Sequence, residues 1–419
     1  MGTVGLILVG AGSRGSVYAT WARTHPEQVR IVAVAEPRAH HRDRIAREHE
    51  LPPARAVADW RELAGEPRFA DGVIIATPDA LHADPAVAFA DGGYHILLEK
   101  PMAPSEDACR RIVDAARRNR VILAVCHVLR YTRYTEQLKA IVDSGRLGDV
   151  VSLAHLEPVG YWHQAHSFVR GNWANTARSA PMLLAKACHD LDWIRHVVGQ
   201  PCVQVASFGG LHHFRRETRP AGAADRCLDC AVEASCPYSA PRFYLGRVQA
   251  GHTGWPVDVI TTEPTAAGVT EALRTGPYGR CVHACDNDVV DHQVVNLRFA
   301  TGATASFTMT AFTRARDRET RVFGTRGELH GDGTTLEVHD FLTDRTEIIR
   351  TDVADDPAGA GHGGGDGRLM QQFVAAVATG DPSRIRSGPA ESLETHLMVF
   401  AAEAARRDGR VVDVPATGS

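Results

Sequence analysis

Lys100 stands in Glu99-Lys100-Pro101, directly after the apolar run Tyr94-His-Ile-Leu-Leu98. A strand ending there presents one ammonium at the carboxyl edge of a sheet, where open α/β folds bind ligands. Such an ammonium can hydrogen-bond a hydroxyl or carbonyl oxygen, and partial desolvation lowers its pKa toward a working range. Further on, apolar residues recur at helical spacing from Met182 to His196, and one helix there sets Lys186, His189 and Asp190 on one side, with Asp192 and Trp193 further round. His189 suits removal of a hydroxyl proton near neutral pH. Lys100 and His189 are therefore the candidate catalytic pair. His127, Arg130 and Tyr131 follow the last strand of the first third, as pocket candidates or as packing. The stretch from Gly160 to Asn175 gathers Trp162, His163, His166, Arg170 and Trp173. Rings stack on the apolar face of a sugar while His, Arg and Asn take its hydroxyls; the alternative is an aromatic-anchored surface loop. His163 and His166 lie three apart, but no third ligand at fixed spacing accompanies them.

The elements that must position these groups begin with Leu6-Ile-Leu-Val9, then Gly10-Ala-Gly12-Ser13-Arg14-Gly15, then a segment of helical character. This is strand, glycine turn, helix. The first glycine permits the turn, the second lets backbone approach a pyrophosphate, and the third packs helix on strand, with the helix N-terminus facing the anion. A second strand, Arg30-Ile-Val-Ala-Val-Ala35, ends in Glu36, 21 residues after Gly15, placed to accept from ribose hydroxyls. Glu36 repels a 2′-phosphate and favours NAD; Arg38 offsets that charge and leaves NADP open. Strands at 72–76, 94–98 and 121–125 alternate with helices near 43–50, 59–64, 83–90 and 105–118, the last with Ser105 as N-cap. The pattern predicts a mostly parallel, doubly wound sheet.

Gly10 to Gly15, Glu36, Ala76-Thr77-Pro78 with His82, and Glu99-Lys100-Pro101, in that order, resemble the family of glucose–fructose oxidoreductase, inositol dehydrogenase and their rhizopine-catabolism relatives. The resemblance implies an α/β chain: a Rossmann dinucleotide-binding domain over 1–126, then an α+β domain over 127–419 whose large, mainly antiparallel sheet carries substrate and often an oligomer contact. It implies that Thr77, Pro78 and His82 lie along the cofactor with Glu99, Lys100 and His127, and that Lys100 meets the reacting hydroxyl of a sugar or cyclitol. The chain departs from the family in one place. An Asp is usual four residues before the histidine of the substrate helix, and Ala185 stands there, with Lys186 beside it.

The balance of 46 basic against 50 acidic residues points away from nucleic acid and acidic membranes, and no run is long and apolar enough to span a bilayer. A secretory leader is not apparent near Gly5 to Gly10, so the expectation is a cytoplasmic homo-oligomer, dimer or tetramer, with a small partner. After Val203–Phe208 the chain departs into an insertion, about 210–285, holding Cys227, Cys230, Cys236, Cys281 and Cys285. The spacing suggests a structural zinc site of Cys227, Cys230, Cys236 and Cys281, with Cys285 or His283 in place of the last, because a small insertion without a core needs a metal to fold. Reduced thiols are the alternative. Asp288, Asp291 and His292 either line the pocket or are strand residues, and the glycine-rich 358–367 reads as a loop or lid. The function expected is an NAD(P)-dependent oxidoreductase acting on a sugar, cyclitol or glycoside; the alternatives are a redox-neutral NAD-dependent glycosidase and a non-catalytic sugar sensor.

Overall fold

The computed structural model describes residues 2–351 and 362–417. Six strands, Val4–Val9 (β1), Val29–Ala35 (β2), Ala56–Val57 (β3), Gly72–Ile75 (β4), His95–Leu98 (β5) and Leu123–Val125 (β6), form one parallel sheet in the order β3-β2-β1-β4-β5-β6. The order reverses beside β1, so the crevice at its carboxyl end is the ligand site of such a sheet. Both faces are covered, which is why the strands read as unbroken apolar runs. Leu6 and Leu8 of β1 join one core with Tyr18 and Trp21; Ile7 and Val9 join the other with Phe89, Ile112 and Val113. Ser105 caps the helix Glu106–Arg118 as expected, its hydroxyl accepting Ala108 N–H at 3.3 Å.

The second sheet has nine strands: Val150–Pro158 (β7), Cys202–Gly210 (β8), His292–Phe299 (β9), Thr304–Thr310 (β10), Glu319–Gly324 (β11), Gly327–Gly331 (β12), Thr335–Asp340 (β13), Arg345–Arg350 (β14) and Val412–Asp413 (β15), in the order β14-β13-β12-β11-β7-β10-β9-β8-β15. All pairs are antiparallel except β7 with β10. The sheet buries one face: in β10, Ala305, Phe307 and Met309 point into the core while Thr304 and Ser306 are exposed.

After residue 364 the chain returns to the first sheet. The helix Gly365–Thr379 lays Leu369, Met370 and Phe373 into the core of β1 and β2, and Pro389–Asp408 adds Leu393 and Leu397 to the opposite face. The expected loop over 358–367 thus holds only in part. Residues 358–361 lie outside the described residues, whereas His362–Gly364 make a turn and Gly365 to Gly367 open a helix.

The insertion between β8 and β9 corrects a premise. It carries three helices, Ala240–Gln249, Val257–Ile260 and Ala266–Thr275, around a core of Tyr244, Val257, Val269 and Leu273. Burial of these side chains supplies what a metal was expected to supply. Among the described residues no three His, Cys, Asp or Glu side chains are placed to hold one metal ion, and Cys227, Cys230, Cys236, Cys281 and Cys285 are free thiols. Cys227 Sγ instead faces the Arg170 guanidinium at 3.6 Å, and Cys285 Sγ donates to Cys281 O at 3.3 Å. Leu273→Ala is expected to destabilise the insertion by about 2–5 kcal/mol. Limited proteolysis will then cut within 211–291 before the Rossmann domain, and NADH affinity will be kept.

Candidate active site

The glycine turn is built to the limit of backbone contact. Gly10 has φ +90° and a Cβ there would lie 2.6 Å from Ala76 O; a Cβ on Gly15 would lie 2.0 Å from Gly10 O. The helix Ser13–Thr24 starts at Gly12 with no side-chain cap, leaving its first N–H groups for an anion. Glu36 is buried beside the turn, accepting Ala11 N–H at 2.9 Å and the Arg38 guanidinium at 2.7 and 3.0 Å. Burial pushes this carboxyl up, but the Arg38 and backbone bonds outweigh it and hold it below the usual range. His82, fully buried, contacts Pro101 O at 2.8 Å and Thr77 O at 2.9 Å, joining the loops after β4 and β5. Thr77 Oγ1 donates to Leu81 O at 3.2 Å, and Pro78 precedes the turn Asp79–Leu81. A dinucleotide fits this cradle.

Arg14 departs from its expected place along the cofactor. Its guanidinium turns inward to Glu99 at 2.6 Å, Tyr18 at 2.7 Å and Asp366. Glu99 also accepts Tyr18 O–H at 2.6 Å and Lys100 N–H at 3.0 Å, so it is a buried anchor for the strand end rather than a cofactor ligand. Burial raises its carboxyl, and Arg14 and Tyr18 more than reverse that.

The helix predicted over 182–196 is broken. Met182–Ala185 and Cys188–Val198 are separate helices, and the interruption at Lys186-Ala187 leaves Ala185 O to accept the Lys100 ammonium at 2.7 Å. Lys186 pairs with Glu157 at 3.1 Å, Glu157 with Arg318 at 2.9 Å, and Arg318 with Asp190. Asp190 also accepts from His155 at 3.2 Å and is fully buried, which removes it from substrate contact. Asp192 is likewise spent: Arg130 grips it with two bonds of 2.7 Å and Thr395 adds one of 2.9 Å. Arg130 is therefore buried structure, and so is Tyr131, whose hydroxyl meets Ser387 at 3.0 Å and Arg386 N–H at 2.9 Å.

His189 is 4 % exposed and its Nδ1 has no hydrogen-bond partner. It belongs to a row of imidazoles: His396 to His127 at 5.8 Å, His127 to His189 at 6.0 Å, His189 to His362 at 5.8 Å between ring centres. Burial first, then Lys100 and the neighbouring imidazoles, holds His189 well below the usual histidine range. His127 is buried with neither nitrogen bonded and is pushed down to about 3, so it backs His189 instead of reaching a cofactor. Outermost is His362, held by Asp366 at 3.1 Å.

The aromatic stretch divides. His163 packs between Trp162 at 5.6 Å and Trp255 at 5.3 Å, and burial, then Lys186, holds its imidazole well below the usual range. Trp173 is 39 % exposed. Asp79 is buried, accepts the Ser179 hydroxyl at 3.5 Å, and burial raises its carboxyl. By contrast, His166 bonds Tyr244 at 2.6 Å and Arg170 bonds Arg280 O and Tyr238 O at 2.8 Å, so both are anchors for the insertion. Trp162 stacks on Phe243 at 5.0 Å. Asp291 accepts His212 and His213 N–H at 2.8 and 2.7 Å, His292 contacts Asp291 at 2.9 Å, and Asp288 accepts Thr176 N–H at 2.6 Å; all three are structural. Asp79, Glu157, Arg318, His362 and Asp366 were not expected. Asp79 adjoins Thr77-Pro78 and was within reach of motif reading, and His362 pairs locally with Asp366, whereas Glu157, Arg318 and Asp366 pair with Lys186, Asp190 and Arg14 across long stretches of chain.

Two predictions follow from this burial. Arg130→Met leaves Asp192 charged and unpaired in the interior, and a loss of about 3–5 kcal/mol is expected in urea unfolding. His127 and His166 at about 3 and His196 and His396 at about 4 stay neutral in the fold while the unfolded chain protonates them below its ordinary value. The unfolded state then binds more protons, so Tm is expected to fall between about pH 7 and about pH 5.5. An unchanged Tm over that interval contradicts the neutral row.

The profile described as the oxidoreductase family, NAD-binding Rossmann fold, matches residues 4–127, and that of its C-terminal alpha/beta domain matches 139–414. The chain is similar to the rhizopine catabolism protein MocA of Rhizobium meliloti, 31 % identical over 46 % of this chain and 56 % of that protein. It is 25 % identical to the 2,7-anhydro-N-acetylneuraminate hydratase of Escherichia coli over 48 % of this chain and 52 % of that one. It thus spans about half the length of these curated relatives. Among solved structures, levoglucosan dehydrogenase in complex with NADH and L-sorbose superposes with a TM-score of 0.71 at 21 % identity, covering 99 % of this chain and 100 % of that one. An oxidoreductase domain protein from Kribbella flavida superposes with a TM-score of 0.73 at 16 % identity over 99 % and 100 %. The chain belongs to the Gfo/Idh/MocA family of oxidoreductases.

Proposed function

We propose that this protein is an NAD-dependent oxidoreductase acting on a secondary alcohol of a sugar or cyclitol. The observation that supports the reading is Lys100 at the end of β5, donating at 2.7 Å to Ala185 O just ahead of the helix that carries His189, whose imidazole the Lys100 charge lowers after burial. NAD bound there supplies a hydride acceptor. Lys100 holds the alcohol oxygen and, as a cation, favours its deprotonation; His189, neutral at working pH, takes the proton. We assign the remaining hydroxyls to His163, Lys186 and Trp173, which keep partial exposure. Because Arg38 is spent on Glu36, the cradle prefers NAD to NADP.

Several relatives carry names of sugar or ring-diol dehydrogenases, and two are hydratases of an anhydro-sugar. The hydratase relatives favour one second reading, redox-neutral chemistry on a glycosidic or anhydro linkage. Incubation with a panel of polyols, aldoses and anhydro-sugars separates the two: NADH accumulates in the first, and product forms without net NADH in the second. A second copy packs on the open face of the nine-stranded sheet, where Val151, Phe208 and Ile348 are exposed. Among the described residues no helix is long and apolar enough to cross a membrane.

Lys100→Met and His189→Ala are each expected to lower kcat at least about 100-fold while NADH affinity holds; wild-type turnover in both contradicts the pair. Since His189 is neutral well below its ordinary value, kcat/KM is expected to show no acid limb near about pH 6.5. Fluorescence titration is expected to show NADH binding at least about tenfold tighter than NADPH, a preference that Glu36→Gln narrows.

A further inference from the structure

A second cavity, of about 690 Å³, lies at the seam between the aromatic segment after Gly160 and the insertion. Its volume suits a ring compound of one or two rings. Five aromatic side chains and three arginines line it, and no carboxylate does. The rings are paired across the seam: Tyr161 with Tyr238 at 6.3 Å, and Trp162 with Phe243 at 5.0 Å, stacked at 26°. The insertion therefore supplies one wall of the cavity, Tyr238 and Phe243 facing Tyr161 and Trp162 of the segment after Gly160.

The three arginines are not equivalent. Arg170 is buried and spends its donors on Arg280 O, Tyr238 O and Cys227 Sγ. Arg242 donates to Glu233 O and Ala234 O at 2.9 and 2.8 Å, with the Glu233 carboxylate 3.9 Å away. Arg247 is half-buried, stands 4.9 Å from the rings of both Trp162 and Phe243, and has no carboxylate within ion-pair distance among the described residues. A guanidinium held on two ring faces keeps its planar fork of donors oriented, and that fork matches a carboxylate. Arg170 and Arg247 also press the neighbouring His166 down to about 3, after burial, which reflects the positive field of the region.

We propose that this cavity binds a ring compound carrying a carboxylate, its ring against the aromatic walls and its charge on Arg247. A uronic acid and a hydroxylated benzoate share that chemistry. The inference does not depend on the reaction proposed above.

Calorimetry and tryptophan fluorescence on the full chain test it with D-glucuronate and 4-hydroxybenzoate, each against its neutral counterpart, D-glucose and methyl 4-hydroxybenzoate. At least one acid is expected to bind at least about tenfold more tightly than its counterpart, the worth of one charge-assisted bond. Which acid wins identifies the source of the ring. Arg247→Gln is expected to remove that preference while NADH affinity and Tm stay at wild-type values, and Arg247→Lys to restore part of it. Binding is also expected to survive Lys100→Met. The proposal is overturned if neither acid binds at millimolar concentration, if the neutral counterparts bind equally well, or if Arg247→Gln leaves the preference intact.

Discussion

One guanidinium between two buried carboxylates ties the molecule together. Arg14 issues from the glycine turn, Glu99 ends the strand that delivers Lys100, and Asp366 opens the helix by which the chain returns to the first sheet. Three distant segments thus meet at one charge. A buried charge without partners is costly, so the three segments hold their places or the site does not form. The glycine turn itself needs only backbone, and Arg14 in its middle fixes the turn's position relative to the strand end that carries Lys100.

The same economy governs the substrate side. Lys186, Glu157, Arg318 and Asp190 alternate in sign, and each carboxylate is shared by at least two donors. Asp192 is enclosed by Arg130 and Thr395. With those acids consumed, His396, His127 and His189 have little to stabilise a proton, and among the described residues of the row His362 alone has a carboxylate in hydrogen-bond contact. The interior end of the row is neutral by burial and the exposed end is anchored by charge.

The Rossmann half was legible because its signals are local: Gly10, Gly12 and Gly15 demand one backbone path, and Glu36 follows at the distance that one helix and one strand require. The nine-stranded sheet was legible in kind, through the alternation along β9 and β10, while the parallel pairing of β7 with β10 carries no local mark. Site residues divide on the same line. Lys100 and His189 are proposed from the elements that carry them, and both elements are present, β5 and the helix Cys188–Val198. Arg130, Tyr131, His166 and Arg170 look alike in sequence whether they face a ligand or a buried carbonyl, and the partners that decide the matter are 62 to 256 residues away. The insertion misled for a different reason: its cysteines are conspicuous, and its apolar residues, too widely spaced to suggest a core, form one only when three short helices meet.

The break at Lys186-Ala187 leaves Lys100 on a carbonyl where relatives of this architecture were expected to offer a carboxylate. A carbonyl is a dipole and carries no net charge; it aims the ammonium without cancelling it, and it never takes up a proton. The charge of Lys100 is therefore not cancelled by its anchor, and its field is left for an oxygen in the crevice. In the proposed reaction this favours loss of the alcohol's proton and offsets an imidazole that burial has made a weak base.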